Sequence, residues 1–184
     1  MKYFISLISI FICINYCLAQ EKEPLSKEKK EALVFPTVLE TASKENKSIL
    51  LIFSGWDWCE PCQELEKTIL STKLFLEFAK KNIVFLDLDY PQSGTGPSPE
   101  NNQLAERYGI DSYPSIFIAD EKGMPYQKIS FTKQTVELFI TSIESALKRR
   151  VLKSKFVTSK DEEEKKKLAG EFLATRTEGE NYIF

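Results

Sequence analysis

Phe53-Ser54-Gly55-Trp56-Asp57-Trp58-Cys59-Glu60-Pro61-Cys62-Gln63-Glu64-Leu65-Glu66 is the stretch on which the reading of this chain turns. Just before it, Ser48-Ile49-Leu50-Leu51-Ile52-Phe53 is a continuous apolar run between polar residues, which predicts a central strand buried on both faces. Ser54-Gly55 supplies a turn. From Cys59 onward, Cys62, Leu65, Ile69 and Leu70 recur at helical spacing and predict a helix that turns them toward the core. Two cysteines therefore fall three residues apart where a strand hands over to a helix. A cysteine at a helix N-terminus feels the positive end of the dipole and unpaired backbone N–H groups, and both favour its thiolate. Cys62, one turn on, shares a face with Cys59 and can close a disulfide with it. Pro61 falls in the first turn, where its missing N–H costs nothing and its fixed φ stiffens the loop.

Outward from this stretch the pattern alternates. Thr37 to Asn46 reads as a helix with Val38, Leu39 and Ala42 on one side, and after Ser71-Thr72 the helical pattern resumes with Leu74, Phe75, Phe78 and Ala79. Ile83 to Asp89 reads as a second buried strand, and Pro91 to Pro99 as a surface loop too rich in Pro and Gly for regular structure. Glu100 to Tyr108 suits a short helix stopped by Gly109. Ser115 to Ala119 is a third strand, Asp120 to Gly123 a turn, and Tyr126 to Phe131 its hairpin partner. Thr132 to Arg150 closes the domain as an amphipathic helix with Val136, Phe139, Ile140, Ile143 and Leu147 at helical spacing. Strands separated by helices predict parallel pairing, with the hairpin as an antiparallel edge, hence an α/β fold. Phe75, Phe78, Phe117 and Phe139 are core by spacing. Residues 151–184 differ: Ser159-Lys160-Asp161-Glu162 reads as a capping box before a Lys/Glu-rich stretch, which predicts a charged, solvated C-terminal helix.

The ends and the composition narrow the chemistry. Lys2, the apolar run from Tyr3 to Ile14 and Cys17-Leu18-Ala19 have the layout of a secretory signal cleaved after Ala19. The run is shorter than the roughly 20 residues a spanning helix needs, so no transmembrane segment is expected after cleavage. Lipid anchoring at Cys17 is disfavoured by the bulky Tyr16. The chain then divides into a signal over 1–19, a flexible leader over 20–31, one domain over 32–150 and the extension over 151–184. Two of the four cysteines, Cys13 and Cys17, lie in the signal, which leaves Cys59 and Cys62 as the only pair of the mature chain. So short a loop stabilises a fold little, and the pair is read for its chemistry. Zinc wants about four ligands, and two cysteines with no histidine anywhere do not supply them. The absence of histidine also removes Ser–His and Cys–His catalysis. A net charge of −2 without a basic stripe gives no reason to expect nucleic acid.

These residues resemble the thioredoxin superfamily, in particular exported bacterial thioredoxin-like proteins with a Trp-Cys-x-x-Cys-x-x-Leu-Glu signature. A second match lies at Tyr113-Pro114-Ser115. The resemblance covers about residues 32–150. It implies a thioredoxin-like fold: a central mixed sheet flanked by helices, a closing β-hairpin and a C-terminal helix. It also implies that Cys59 attacks and Cys62 resolves, and that Pro114 is cis and faces the dithiol with Tyr113 contacting substrate. The redox-active Cys59–Cys62 pair would serve without a further cofactor or metal. Partners would be exported proteins with disulfides or thiols, and a membrane electron donor that keeps the pair reduced. Two departures stand out. The family's usual buried Asp falls at Phe53 and its usual Lys near Phe85, so the proton relay of those residues does not carry over, and Glu64 or a water is left as a substitute.

The residues around the motif bear on the direction of electron flow. Trp58 is placed to shield the dithiol and meet partners. Asp57 and Glu60 flank Cys59 with negative charge, which opposes the dipole and holds the Cys59 pKa up. That favours a disulfide reductase of periplasmic or secreted proteins over the alternatives, an oxidase or isomerase and a non-catalytic thioredoxin-like binding module that would use the 91–99 loop and the 151–184 tail.

Overall fold

The computed structural model describes residues 35–175. The expected signal with Cys13 and Cys17, the 20–31 leader and residues 176–184 lie outside them. Within them the order is α1 (Phe35–Glu45), β1 (Ser48–Ser54), α2 (Glu60–Leu65), a π segment (Glu66–Leu70), α3 (Lys73–Asn82), β2 (Ile83–Asp89), α4 (Pro99–Tyr108), β3 (Ser115–Ala119), β4 (Pro125–Ile129), α5 (Val136–Thr158) and α6 (Glu162–Ala174).

The four strands form one mixed sheet in the order β2-β1-β3-β4. All seven residues of β1 are buried, as its unbroken apolar run requires of a central strand. Because side chains alternate across a strand, β1 feeds two cores. Leu50 and Ile52 join Ile116, Ile118, Phe75 of α3 and Phe139, Ile143 and Ala146 of α5. Ile49, Leu51 and Phe53 join Val38 and Ala42 of α1, Leu104 and Tyr108 of α4 and Phe117. The sheet is therefore sandwiched between α1 and α4 on one face and α2, α3 and α5 on the other. Burying one such Leu, Ile or Phe is worth about 1.5–3 kcal/mol.

Several expectations are corrected. Alternating helices and strands predicted β3 parallel to β1, but β3 is antiparallel, with Phe53 opposite Ser115 and Ile49 opposite Ala119; only β1–β2 is parallel. Alternation fixes that a crossover exists, not where the chain re-enters the sheet. Gly109, in the left-handed conformation (φ 61°), ends α4, and the chain comes back to the sheet at the end where β1 finishes. Helical spacing groups Leu74 with the core-facing residues of its helix, yet it is 45% exposed, because Thr72 caps α3 and starts it afresh after the break at Ser71. The helix expected to end at Arg150 starts later, at Val136 behind the Thr135 cap, and continues to Thr158.

The tail is also less solvated than its charge suggested. The cap of α6 is Asp161, whose carboxylate accepts from the N–H groups of Glu163 and Glu164; Ser159 instead bonds the Asp161 N–H and the Glu164 carboxylate. Leu168 is buried. Arg149, only 3% exposed, donates to the Thr175 carbonyl at the end of α6 (2.6 Å) and to the side-chain oxygen of Gln127 on β4 (2.9 Å). A buried guanidinium thus ties the extension to the sheet.

Candidate active site around the Cys59–Cys62 disulfide

Cys59 and Cys62 are joined as a disulfide, their Cα atoms 5.2 Å apart. The turn that presents them is built by Gly55. Its carbonyl accepts the N–H of Trp58 (3.1 Å) and of Cys59 (2.7 Å), and a Cβ at position 55 would overlap the Trp58 indole. Cys59 is the N-cap of α2 in extended conformation (φ −90°, ψ 99°). Its carbonyl accepts from the N–H of Cys62 and Gln63, and its Sγ accepts the Cys62 N–H at 3.3 Å. Pro61 occupies the first turn of α2. Glu60 opens the helix and is exposed. Both cysteines are nearly sequestered, Cys59 at 3% exposure and Cys62 at 0%.

An aromatic clamp stands beside the pair. Trp58, 39% exposed, donates its Nε1–H to the Tyr90 carbonyl (2.8 Å) and meets Tyr113 edge-on, ring centres 5.5 Å apart. Tyr113 also packs on Tyr90 at 5.4 Å. The Tyr113–Pro114 peptide is cis, and Ser115, which follows it, pairs with Phe53. Pro114 thus enters β3 at the end of the sheet from which the Cys59 turn departs. Burial raises the phenol pKa of both Tyr90 and Tyr113, so both rings are neutral packing groups.

The carboxylates have different tasks. Asp57 accepts from the Ser93 hydroxyl (2.7 Å), the Ser93 N–H (3.0 Å) and the Gln92 N–H (3.3 Å). The Ser93 hydroxyl is the main reason its pKa lies below the usual carboxylate value. Much of its charge is therefore spent on the 91–99 loop. Glu64 pairs with Lys133 at 3.6 Å. Position 53 is occupied by a fully buried ring packed against Tyr90, Tyr108 and Phe117.

Sequence reasoning missed two acidic residues at the end of β2. Asp87 accepts from the Trp56 indole N–H (3.0 and 3.1 Å) and the Ser54 hydroxyl (3.1 Å). Asp89 accepts the Trp56 backbone N–H (3.2 Å). Its pKa is raised, chiefly by desolvation, with the charges of Asp87 and Asp57 adding to it. The signal was available: Asp87-Leu88-Asp89 ends a buried strand with both carboxyls on one face, and a Trp N–H near the site needed an acceptor.

The comparisons with known proteins agree with this geometry. The thioredoxin-like domain family matches residues 35–131, over half of the chain. The chain is 25% identical over 134 residues to a protein of Chlamydia pneumoniae named disulfide bond reductase DsbH, across 71% of this chain and 81% of that one. It is 32% identical over 107 residues to the thiol:disulfide interchange protein DsbD of Haemophilus influenzae, a match that spans 57% of this chain but only 17% of DsbD. The solved structure of a DsbH oxidoreductase superposes with a TM-score of 0.59 at 25% identity, covering 70% of this chain and 92% of that one. A disulfide at a helix N-cap and a cis-proline leading into β3 of a β2-β1-β3-β4 sheet, together with these matches, place the chain in the thioredoxin-like domain family, among its thiol–disulfide oxidoreductases.

Proposed function

We propose that the protein is a disulfide reductase for exported polypeptides, with Cys59 as nucleophile and Cys62 as resolving thiol. The observation that carries the assignment of nucleophile and resolving thiol is Cys59 at the N-cap of α2 with its Sγ accepting the Cys62 N–H (3.3 Å). In the reduced protein that N–H and the helix dipole stabilise a Cys59 thiolate. Cys62, at 0% exposure, is shielded from any partner but Cys59.

The reaction balances as two exchanges. The Cys59 thiolate attacks one sulfur of the substrate disulfide, whose S–S bond breaks as the mixed disulfide forms, and the leaving sulfur takes a proton. Cys62, as thiolate, then attacks Cys59 Sγ and restores the Cys59–Cys62 disulfide, releasing the second substrate thiol. The substrate gains two electrons and two protons. Trp58, Tyr113 and the cis Pro114 form the surface on which the substrate chain lies.

Three things support the reducing direction. The residues between the cysteines are Glu60 and Pro61, neither of which stabilises a thiolate, whereas a strong oxidant needs its reduced form stabilised. Asp57, whose carboxylate is taken up by Gln92 and Ser93, places no positive charge beside Cys59 that would stabilise its thiolate. The similarity to a protein named as a disulfide bond reductase points the same way. The 1–19 segment supports export, and among the described residues no helix is long and apolar enough to cross a membrane. A reductase outside the cytoplasm needs re-reduction, so a membrane-protein dithiol is the expected electron donor.

Trapping tests the assignment. A Cys62→Ala variant expressed with its leader should accumulate mixed disulfides through Cys59 with exported proteins, released by dithiothreitol and identifiable by mass spectrometry. No adducts, or adducts that survive Cys59→Ser, would contradict it.

A further inference from the structure

The loop after β2 is held against the dithiol turn with more bonds than a connection needs. Asp57, two residues before Cys59, takes three donors from Gln92 and Ser93. One residue on, Trp58 is bonded to the carbonyl of Tyr90, which packs on Tyr113. At its far side the loop is fixed by Ser98, whose hydroxyl caps α4 by accepting from the Asn101 N–H (3.1 Å). Between these anchors Gly94 and Gly96 have positive φ (73° and 71°), and no atom lies within 4 Å of where a Cβ would be. Gln92 to Thr95 are exposed. Both ends of the segment are thus pinned, the first of them to Asp57 of the dithiol turn, while its tip stands open to solvent.

We propose that Asp57 is a positioning residue that fixes the 91–97 loop as one wall of the groove by which a polypeptide disulfide reaches Cys59, opposite the wall made by Tyr113 and Pro114. This rests on the reductase reading above and adds a selectivity to it. A polypeptide must lie across the Trp58 edge and meets both walls; a small aromatic disulfide reaches Cys59 without touching the loop. The Asp57 carboxyl pKa lies below the usual carboxylate value, chiefly through the Ser93 hydroxyl, which agrees with a carboxylate that is charged at neutral pH and holds its three donors. The same loop bonds draw the carboxylate toward Gln92 and Ser93, so its main effect is on the loop, with a lesser one on the sulfur.

The test is a ratio. Wild type, Asp57→Ala, Asp57→Asn and Ser93→Ala are reduced, freed of excess reductant and mixed in single turnover with insulin or with 5,5′-dithiobis(2-nitrobenzoate), so that the Cys59–Cys62 dithiol is the electron source, and the potential of each pair is measured. Asp57→Ala should lower the ratio of the second-order rate constant for insulin to that for the small disulfide about ten-fold. Ser93→Ala should lower it by a smaller factor, and Asp57→Asn, which keeps an acceptor oxygen, should recover part of the loss. An unchanged ratio, or equal losses on both substrates accompanied by a shifted potential, would overturn the proposal and make Asp57 a group that acts on the sulfur. If wild type reduces neither substrate, the reductase reading fails instead, and the two failures are told apart.

Discussion

The two ends of β1 use polar side chains in opposite ways. At the Ser48 end they are buried or half-buried and knit the sheet to the C-terminal helices. The Ser48 hydroxyl accepts from Tyr126 (2.9 Å) and Arg150 (2.8 Å), Arg150 pairs with Glu121, and Arg149 joins Gln127 to the end of α6. At the Ser54 end they hold loops rather than layers: Asp87 and Asp89 take the N–H groups of Trp56, Asp57 takes those of the 91–99 loop, and Tyr90 takes the Trp58 indole. The first arrangement resists unfolding. The second leaves a reactive pair at the rim of a rigid frame, with Trp58 exposed above it. One strand thus separates the groups that maintain the fold from those that orient the chemistry, and substitutions at the two ends should separate stability from activity.

The largest expected effect is on activity alone. Cys59→Ala should take insulin reduction to the uncatalysed background, because no other thiol of the 59–62 pair can reach substrate, while urea unfolding compared with the reduced wild type changes little. The mirror experiment is Arg149→Met. It leaves buried Gln127 without the partner it has through Arg149 and detaches α6, and should cost about 2–4 kcal/mol in urea unfolding with the Cys59–Cys62 potential unmoved. If Arg149→Met shifted the potential, the two ends would be coupled and the comparison would break.

Gly55→Ala should have an intermediate effect on both properties. The added methyl must displace the Trp58 indole and its bond to Tyr90, at about 1–3 kcal/mol, with a changed Trp fluorescence as the signature. The smallest effects are in the pH dependence, where Asp57 and Asp89 have opposite signs. The folded pKa of Asp57 is depressed, so its stabilisation is present above the ordinary aspartate value of about 3.9 and is lost as pH falls through the lower folded value. The folded pKa of Asp89 is raised, so the native state holds its proton longer and stability falls as pH rises from about 3.9 through the higher folded value. Unfolding of Asp57→Asn and Asp89→Asn between pH 3 and 7 should therefore diverge from wild type in opposite directions, and parallel curves would contradict these signs.

What could be read from the sequence follows the same division. Ser48–Phe53 and Ser115–Ala119 declared themselves because strands buried on both faces must be apolar throughout, and Gly109 marked a helix end because its conformation favours glycine. The Cys59–Cys62 motif was visible because its elements are contiguous. The direction of β3 was not, since no local pattern records where a crossover returns. Asp87 and Asp89 are legible as a same-face acidic pair at a strand end, but not as acceptors for Trp56, which lies 31 residues before Asp87. The docking of α6 was masked by charge: Arg149 reads as a surface residue until Gln127 and Thr175 are placed around it.

The proposed reducing direction is decided by the equilibrium potential of the Cys59–Cys62 pair. It would be measured on the protein without residues 1–19 against a dithiothreitol or glutathione series. A value near that of thioredoxin, about −270 mV, is the predicted result. A value near −120 mV, the range of strong oxidants, would reverse the direction and make the protein a disulfide donor.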